Sequence, residues 1–260
     1  MKNQIYFMKK ICIVGMGYVG LTLAMHAARN GYEVYGIEIL DSTFEKISSG
    51  KTHFHEPGLE ELLQHSLNKS FFISKHIPEE LTFDYFVVTV GTPLAKTGLK
   101  IPNMSVLDNS IKSIAPHVTS ESLVILRSTI PVGSSRMTER HICKINGLNS
   151  INISFCPERT AEGSALTELR ALPQVISGNT NKAILKAKAF FEPLVDEIVC
   201  ASSLEEAELT KLFNNTYRDA IFAIANTFNK IAQSFNVDGM AAINNANYNY
   251  PRSSIPKPGF

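Results

Sequence analysis

Apolar residues fall into short unbroken runs separated by longer amphipathic stretches, and this alternation predicts strands and helices by turns. The runs are Ile11-Cys12-Ile13-Val14, Val34-Tyr35-Gly36-Ile37, Phe71-Phe72-Ile73, Tyr85-Phe86-Val87-Val88-Thr89-Val90, Leu123-Val124-Ile125-Leu126 and residues 151–155. A run without polar alternation suits a strand buried on both faces, as a parallel sheet requires. Val175-Ile176 and Ile198-Val199-Cys200 are expected to finish that sheet, with a helix over 181–191 between them.

The intervening stretches read as helices. Leu21, Leu23, Ala24, Ala27 and Ala28 form one apolar face, which Gly31 is placed to end. Asp41-Ser42 is placed to cap a short helix that Gly50 closes, and Pro57 suits the first position of another, with Glu60 and Glu61 at its positive end. Ser203-Leu204-Glu205-Glu206 is a capping box. It opens a long pattern in which Leu209, Leu212, Phe213, Thr216, Ala220, Ile224, Phe228, Ile231 and Phe235 recur at three- and four-residue steps. A shorter helix over 238–247 and a proline-rich irregular end follow.

The turn after the first run gives this order a chemical meaning. Gly15-Met16-Gly17-Tyr18-Val19-Gly20 sits between a strand and a helix, and Glu38 ends the next strand 18 residues after Gly20. Gly15 allows the tight turn, Gly17 lets the backbone approach a pyrophosphate, and Gly20 lets helix and strand pack closely. The helix opening offers free N–H groups and a partial positive charge. A carboxylate at Glu38 can accept the adenosine ribose hydroxyls and would repel a 2′-phosphate, so NAD is expected rather than NADP. The fold class is therefore α/β. A Rossmann-type doubly wound parallel sheet over residues 1–201 is expected to precede a smaller all-helical domain over 202–260, built on the long helix.

Composition narrows the class further. At 260 residues with 44% hydrophobic and 19% charged residues, the chain can bury a substantial core and exceeds one ordinary domain. A net charge of +1 gives no reason to expect nucleic acid or an anionic membrane as partner. Cys12, Cys143, Cys156 and Cys200 have neither CxxC spacing nor a disulfide framework, which fits a reducing cytoplasm. His53-x-His55, two ligands on a short loop without carboxylate or cysteine support, gives no metal site. Lys9-Lys10 before an apolar stretch imitates a signal peptide, but the glycine spacing explains that stretch better, and no run of about 20 apolar residues predicts a membrane span. Residues 1–7 read as an extension ahead of the fold.

Further candidate chemistry lies at strand tips and on the long helix. Gly91-Thr92-Pro93 and Arg127-Ser128-Thr129-Ile130-Pro131 follow two central strands, where open parallel sheets bind ligands. Glu158 and Glu162, four residues apart after the next strand, suit general bases or substrate anchors on one helical turn, and equally a solvated loop in which Arg159 pairs locally. Lys211 and Asn215 share one helix face and can donate to an oxygen that gains charge, or simply face water.

Six strings occur in the order found in the UDP-glucose/GDP-mannose dehydrogenase family, which the chain resembles over nearly its whole length. They are Gly15-x-Gly17-Tyr18-Val19-Gly20, Phe54-x-Glu56-Pro57-Gly58-Leu59, Val90-Gly91-Thr92-Pro93, Ser128-Thr129-Ile130-Pro131-Val132-Gly133, Pro157-Glu158-Arg159 with Glu162-Gly163, and Lys211-Leu212-Phe213-Asn214-Asn215-Thr216. The resemblance implies oxidation of the C6 alcohol of a nucleotide sugar to a carboxylate, with two NAD used per substrate. It implies NAD contacts at Gly15, Gly17, Tyr18, Val19, Gly20, Glu38, Thr92 and Thr129. It implies a substrate-side carboxylate at Glu158, a water-positioning or basic pair in Glu162 and Thr129, and oxyanion donors in Lys211 and Asn215. A homodimer through the long helix, 204–235, is implied too.

The family's nucleophilic cysteine belongs to a Gly-Gly-x-Cys segment beyond the equivalent of Phe260, and none of the four cysteines suits that role. The resemblance therefore implies an incomplete, truncated form that lacks the thiolate chemistry. Arg159 after Glu158, with Leu172-Pro173-Gln174, resembles the UDP-N-acetylhexosamine branch more than the UDP-glucose branch. Two other readings stay open: a non-catalytic NAD-binding or dimerising remnant, and a dehydrogenase of the 6-phosphogluconate or 3-hydroxyacid type.

Overall fold

The computed structural model describes residues 8–95, 101–252 and 254–259, so the expected extension over 1–7 lies outside the described residues. The chain divides into two compact units, Met1–Leu209 and Thr210–Phe260. In the first unit β1 (Lys10–Val14), α1 (Tyr18–Arg29), β2 (Glu33–Ile37), α2 (Asp41–Ser48), α3 (Leu59–Ser66) and β3 (Phe71–Ser74) form one half. The other half holds β4 (Tyr85–Val88), α4 (Ser105–Ile114), β5 (Leu123–Leu126), α5 (Ser134–Asn146) and β6 (Asn152–Phe155). Then come α6 (Ala165–Ala171), β7 (Gln174–Ile176), α7 (Asn181–Phe191) and β8 (Ile198–Cys200).

Six strands pair in the order β3-β2-β1-β4-β5-β6, all parallel. The unbroken apolar runs follow from a sheet covered on both sides. Ile11, Ile13, Tyr85, Val87, Leu123 and Ile125 face one buried layer with α1, α3 and α7. Their neighbours Cys12, Val14, Phe86, Val88, Val124 and Leu126 face a second layer with α4 and α5. The reversal of strand order between β1 and β4 opens a crevice at the carboxyl ends of those strands, where dinucleotides bind in such sheets.

Local signals account for most element ends. The Gly31 N–H bonds the Ala28 carbonyl and the Tyr32 N–H the Ala27 carbonyl, closing α1 as expected. Two caps differ from expectation. Asp41 lies inside the first turn of α2, where it pairs with Lys75, and Leu40 occupies the cap position. Gly58 caps α3, which leaves Pro57 ahead of the helix.

The expectation that 175–176 and 198–200 finish the main sheet is corrected: β7 and β8 form a separate parallel pair. Side chains explain the break. Ser177 Oγ takes the Phe155 N–H at 3.2 Å and gives its own proton to the Phe155 carbonyl at 2.9 Å, and Asn179 accepts the Ile153 N–H at 3.1 Å through Oδ1. The outer edge of β6 is thus satisfied by 177–179 and not by a seventh strand.

α8 (Leu204–Ser234) opens with the expected box: Ser203 Oγ accepts the Glu206 N–H at 3.0 Å, while the Glu206 carboxylate turns to Ser202. In the second unit, α9 (Gly239–Asn247) follows α8, and two asparagines hold the irregular end. Asn247 bonds both the N–H and carbonyl of Ile255, at 2.8 and 2.7 Å, and Asn226 those of Gly259, at 3.0 and 2.7 Å.

Candidate active site

The site is built first from the turn between β1 and α1. Gly15 has φ +91°, a left-handed conformation that leads the chain off β1, and its N–H bonds the Ile37 carbonyl at 2.9 Å. Thr89, just past β4, bonds the carbonyls of Val14 and Gly15 at 3.0 and 2.7 Å. At Gly20 a Cβ would stand 1.8 Å from the Gly15 carbonyl, so helix and turn meet only through glycine. At Gly17 a Cβ would meet nothing within 4 Å. That open cradle faces the start of α1, whose first turn has no side-chain cap and no acid. Gly17, Tyr18 and Val19 therefore fit a pyrophosphate: amide donors at a positive helix end, beside space that no side chain fills.

Glu38 lies at the end of β2 and is nearly buried. Its Oε2 accepts the Met16 N–H at 3.0 Å and its Oε1 the Leu40 N–H at 2.9 Å, so the acid braces the glycine turn. A carboxylate has about four acceptor positions, which leaves capacity for two ribose hydroxyls. The tips of β4 and β5 are tied together: the Thr92 hydroxyl donates to the Thr129 carbonyl, and Ser128 Oγ to the Val90 carbonyl at 2.6 Å. Thr129 itself is exposed.

Glu158 and Glu162 do not share a helical turn, because 157–164 is irregular and α6 begins at Ala165. Glu158 is buried and paired with Arg127, itself buried at the tip of β5. Arg127 Nη1 also donates to Gln174 Oε1 at 2.9 Å, and its guanidinium carbon stands 5.2 Å from the Phe191 ring centre. Glu158 Oε1 accepts the N–H groups of Arg159 and Thr160 at 2.7 and 2.9 Å. Burial pushes the Glu158 carboxyl up, but Arg127 and these donors outweigh it and hold the group below its ordinary range. Arg159 turns instead to the Pro173 carbonyl. Glu162 is exposed.

Lys211 and Asn215 stand one turn apart on the part of α8 that belongs to the second unit, both half-buried. All four cysteines are free. Burial pushes the thiols of Cys12 and Cys143 up, and that of Cys156 to about 11, the reverse of an activated nucleophile. Among the described residues no cluster of three or more metal-ligating side chains occurs, and no helix is long and apolar enough to cross a membrane. A cleft of about 460 Å³ runs between α4 and α5, and none of the candidate residues lines it.

Sequence reasoning named Arg127, Gln174, Thr89 and Glu56 only as members of longer strings, with no role of their own, yet all four hold candidate segments in place. Glu56 is buried and accepts from Tyr18, Gly163 and Leu166. An acid inside the Phe54-x-Glu56-Pro57-Gly58-Leu59 string was its only local signal.

A six-stranded parallel sheet in this order, with a glycine turn on its first strand and an acid on its second, defines a dinucleotide-binding Rossmann domain. The chain belongs to the UDP-glucose/GDP-mannose dehydrogenase family, whose NAD binding domain matches residues 9–195. A UDP-N-acetyl-D-mannosamine dehydrogenase from Methanococcus vannielii is 33% identical over 99% of this chain and 59% of its own length. The solved UDP-D-ManNAc dehydrogenase of Pyrococcus horikoshii superposes with a TM-score of 0.89 at 31% identity, covering 96% of this chain and 60% of that one. The native UDP-N-acetyl-mannosamine dehydrogenase of Staphylococcus aureus gives 0.85 at 30%, covering 96% and 61%. The chain thus spans about three-fifths of the length of these relatives.

Proposed function

We propose that this chain carries the NAD-binding part, and part of the substrate-binding machinery, of a dehydrogenase that oxidises the C6 hydroxyl of a nucleotide sugar. The observation that carries the reading is the open cradle at Gly17, with the Glu38 carboxylate braced against the same turn. A UDP-N-acetylhexosamine is the preferred substrate class, supported by the names of relatives about one-third identical and by Arg159 following Glu158. NAD, when bound, supplies the hydride acceptor. Gly15, Gly17, Tyr18, Val19 and Gly20 hold its pyrophosphate, Glu38 its adenosine ribose, and Thr92 and Thr129 the tips of β4 and β5 beside it.

Glu162 and Thr129 orient a water or take the proton that leaves the C6 hydroxyl. Glu158, fixed by Arg127, shapes the substrate side, and Lys211 with Asn215 donates to an oxygen that gains negative charge. The thiolate step that the resemblance implies finds no suitable group in Cys12, Cys143 or Cys156, whose thiols are all raised.

Residues 1–201 serve as the NAD-binding domain and 202–260 as a helical dimerisation domain, in a cytoplasmic protein. Support for a homodimer through the long helix comes from Phe213, Tyr217, Ile224, Phe228 and Ile231, which are all exposed on α8. Calorimetric titration with NAD and NADP, followed by an absorbance assay for NADH with UDP-N-acetylmannosamine, UDP-glucose and a 3-hydroxyacid, tests the assignment. NAD is expected to bind at least about tenfold more tightly than NADP, given a carboxylate where a 2′-phosphate would lie. Steady oxidation of the 3-hydroxyacid would overturn it.

A further inference from the structure

Tyr18 opens α1, Glu56 lies in the turn before α3, and the two meet at the segment that holds Glu162. The Tyr18 hydroxyl lies 2.7 Å from Glu56 Oε2 and 2.9 Å from the Ala161 carbonyl. The same Oε2 accepts the Gly163 N–H at 2.9 Å, and Oε1 accepts the Leu166 N–H at 3.3 Å. Both chain neighbours of Glu162 are therefore held: Gly163 by Glu56, and Ala161 at its N–H by Glu168 at 2.7 Å and at its carbonyl by the single Tyr18 hydroxyl proton, which it shares with Glu56. Glu56 is only 6% exposed, and the Tyr18 ring packs at 5.0 Å on Phe54, two residues before it.

We infer that Glu56 is a positioning residue that couples occupation of the dinucleotide turn to the placement of Glu162, with the Tyr18 phenol as the link. The inference rests on the cofactor reading in one respect, that the pyrophosphate sits at the opening turn of α1. A ligand that orders that turn orders Tyr18, and with it the hydroxyl that grips Glu56 and Ala161. By linkage, whatever fixes 161–166 strengthens the ligand by the same factor. A group that only supported packing would protect this segment equally with and without the ligand.

Hydrogen exchange at the Gly163 and Leu166 amides, with and without saturating NAD, separates the two roles in the full 260-residue chain. Calorimetric NAD binding is measured on the same samples. In the parent protein NAD is expected to slow both amides about tenfold, roughly what one charge-assisted hydrogen bond contributes. Tyr18→Phe keeps the ring on Phe54 and removes the link, so the NAD effect falls below about twofold and NAD binds several-fold more weakly. Glu56→Gln speeds exchange at both amides about tenfold without NAD. If Glu56→Gln fails to fold, the Tyr18→Phe comparison decides alone. Full NAD protection in Tyr18→Phe, or NAD binding to the parent protein without change at these amides, overturns the inference. A parent protein that shows no calorimetric NAD binding overturns the cofactor reading itself, before any exchange is measured.

Discussion

The guanidinium of Arg127, at the tip of β5, forms an ion pair with the Glu158 carboxylate, at the tip of β6, and neither side chain is more than 8% exposed. The pair holds the start of the candidate substrate segment against the sheet. Removing one charge strands the other in a low-dielectric setting, so Arg127→Ala is expected to cost about 3–5 kcal/mol. The double variant Arg127→Met with Glu158→Gln should recover part of that loss, because no unpaired charge remains. Urea unfolding of the two variants checks this. Because the folded-state pKa of Glu158 is depressed, its contribution is fully present above the unfolded value, near 4.5, and is lost as pH falls through the folded value. Glu158→Gln should therefore flatten the stability curve below about pH 4.5.

Two glycines of one turn should fail in different ways. Gly20→Ala places a Cβ 1.8 Å from the Gly15 carbonyl and must displace backbone, so a loss of several kcal/mol, on the order of an overpacked core site, is expected together with loss of NAD binding. Gly17→Ala meets no protein atom within 4 Å. It should melt within a few degrees of the parent protein while weakening NAD by about tenfold or more, because the methyl occupies the path of the pyrophosphate. Thermal melts beside NAD titrations separate the two.

Glu38→Gln keeps the shape of the side chain and removes its charge. NAD should bind about tenfold more weakly, and the preference over NADP should shrink, since repulsion of the 2′-phosphate is gone. Unchanged NAD affinity would remove the ribose assignment.

His26 sits buried in α1, where Nε2 donates to the Leu194 carbonyl at 2.7 Å. Burial lowers its pKa from the ordinary value near 6.5, ahead of the opposing effect of that bond. The unfolded chain therefore takes up this proton first as pH falls. Stability is expected to hold above about pH 6.5 and to decline below it, and His26→Gln should reduce that slope in denaturant titrations across pH 5–8, leaving the part due to His53, whose pKa burial also lowers.

A charge placed on the exposed stripe of α8 tests association. Phe228→Glu, at a position 42% exposed, should leave the fold intact and convert a dimer to monomer in sedimentation. An unchanged dimer would move the interface elsewhere.

What could be read from the sequence was what acts over short spans. The glycine turn, Glu38 and the box at Ser203 depend on neighbours a few residues away or on one fixed strand-to-strand step, and each falls where its spacing puts it. The strands also announced themselves, because burial on both faces leaves no room for polar alternation. The partners of Glu158 and Tyr18 could not be read. Arg127 lies 31 residues before Glu158 and Glu56 lies 38 after Tyr18, and only the folded sheet brings them together. The separation of β7 from the main sheet was equally hidden, since Val175-Ile176 has a strand's composition and the cause is the hydroxyl of Ser177.

That hydroxyl has an effect beyond topology. A sheet border with open amide and carbonyl groups invites the backbone of another molecule to add itself, which is the usual start of aggregation. Ser177, presenting a donor and an acceptor to Phe155 from one small side chain, and Asn179, serving Ile153 through its own N–H and Oδ1, leave β6 nothing to offer a newcomer. Ser177→Ala would leave the Phe155 N–H and carbonyl unpaired inside a fully buried border, so a loss of stability of about 1–3 kcal/mol is the symptom to watch for.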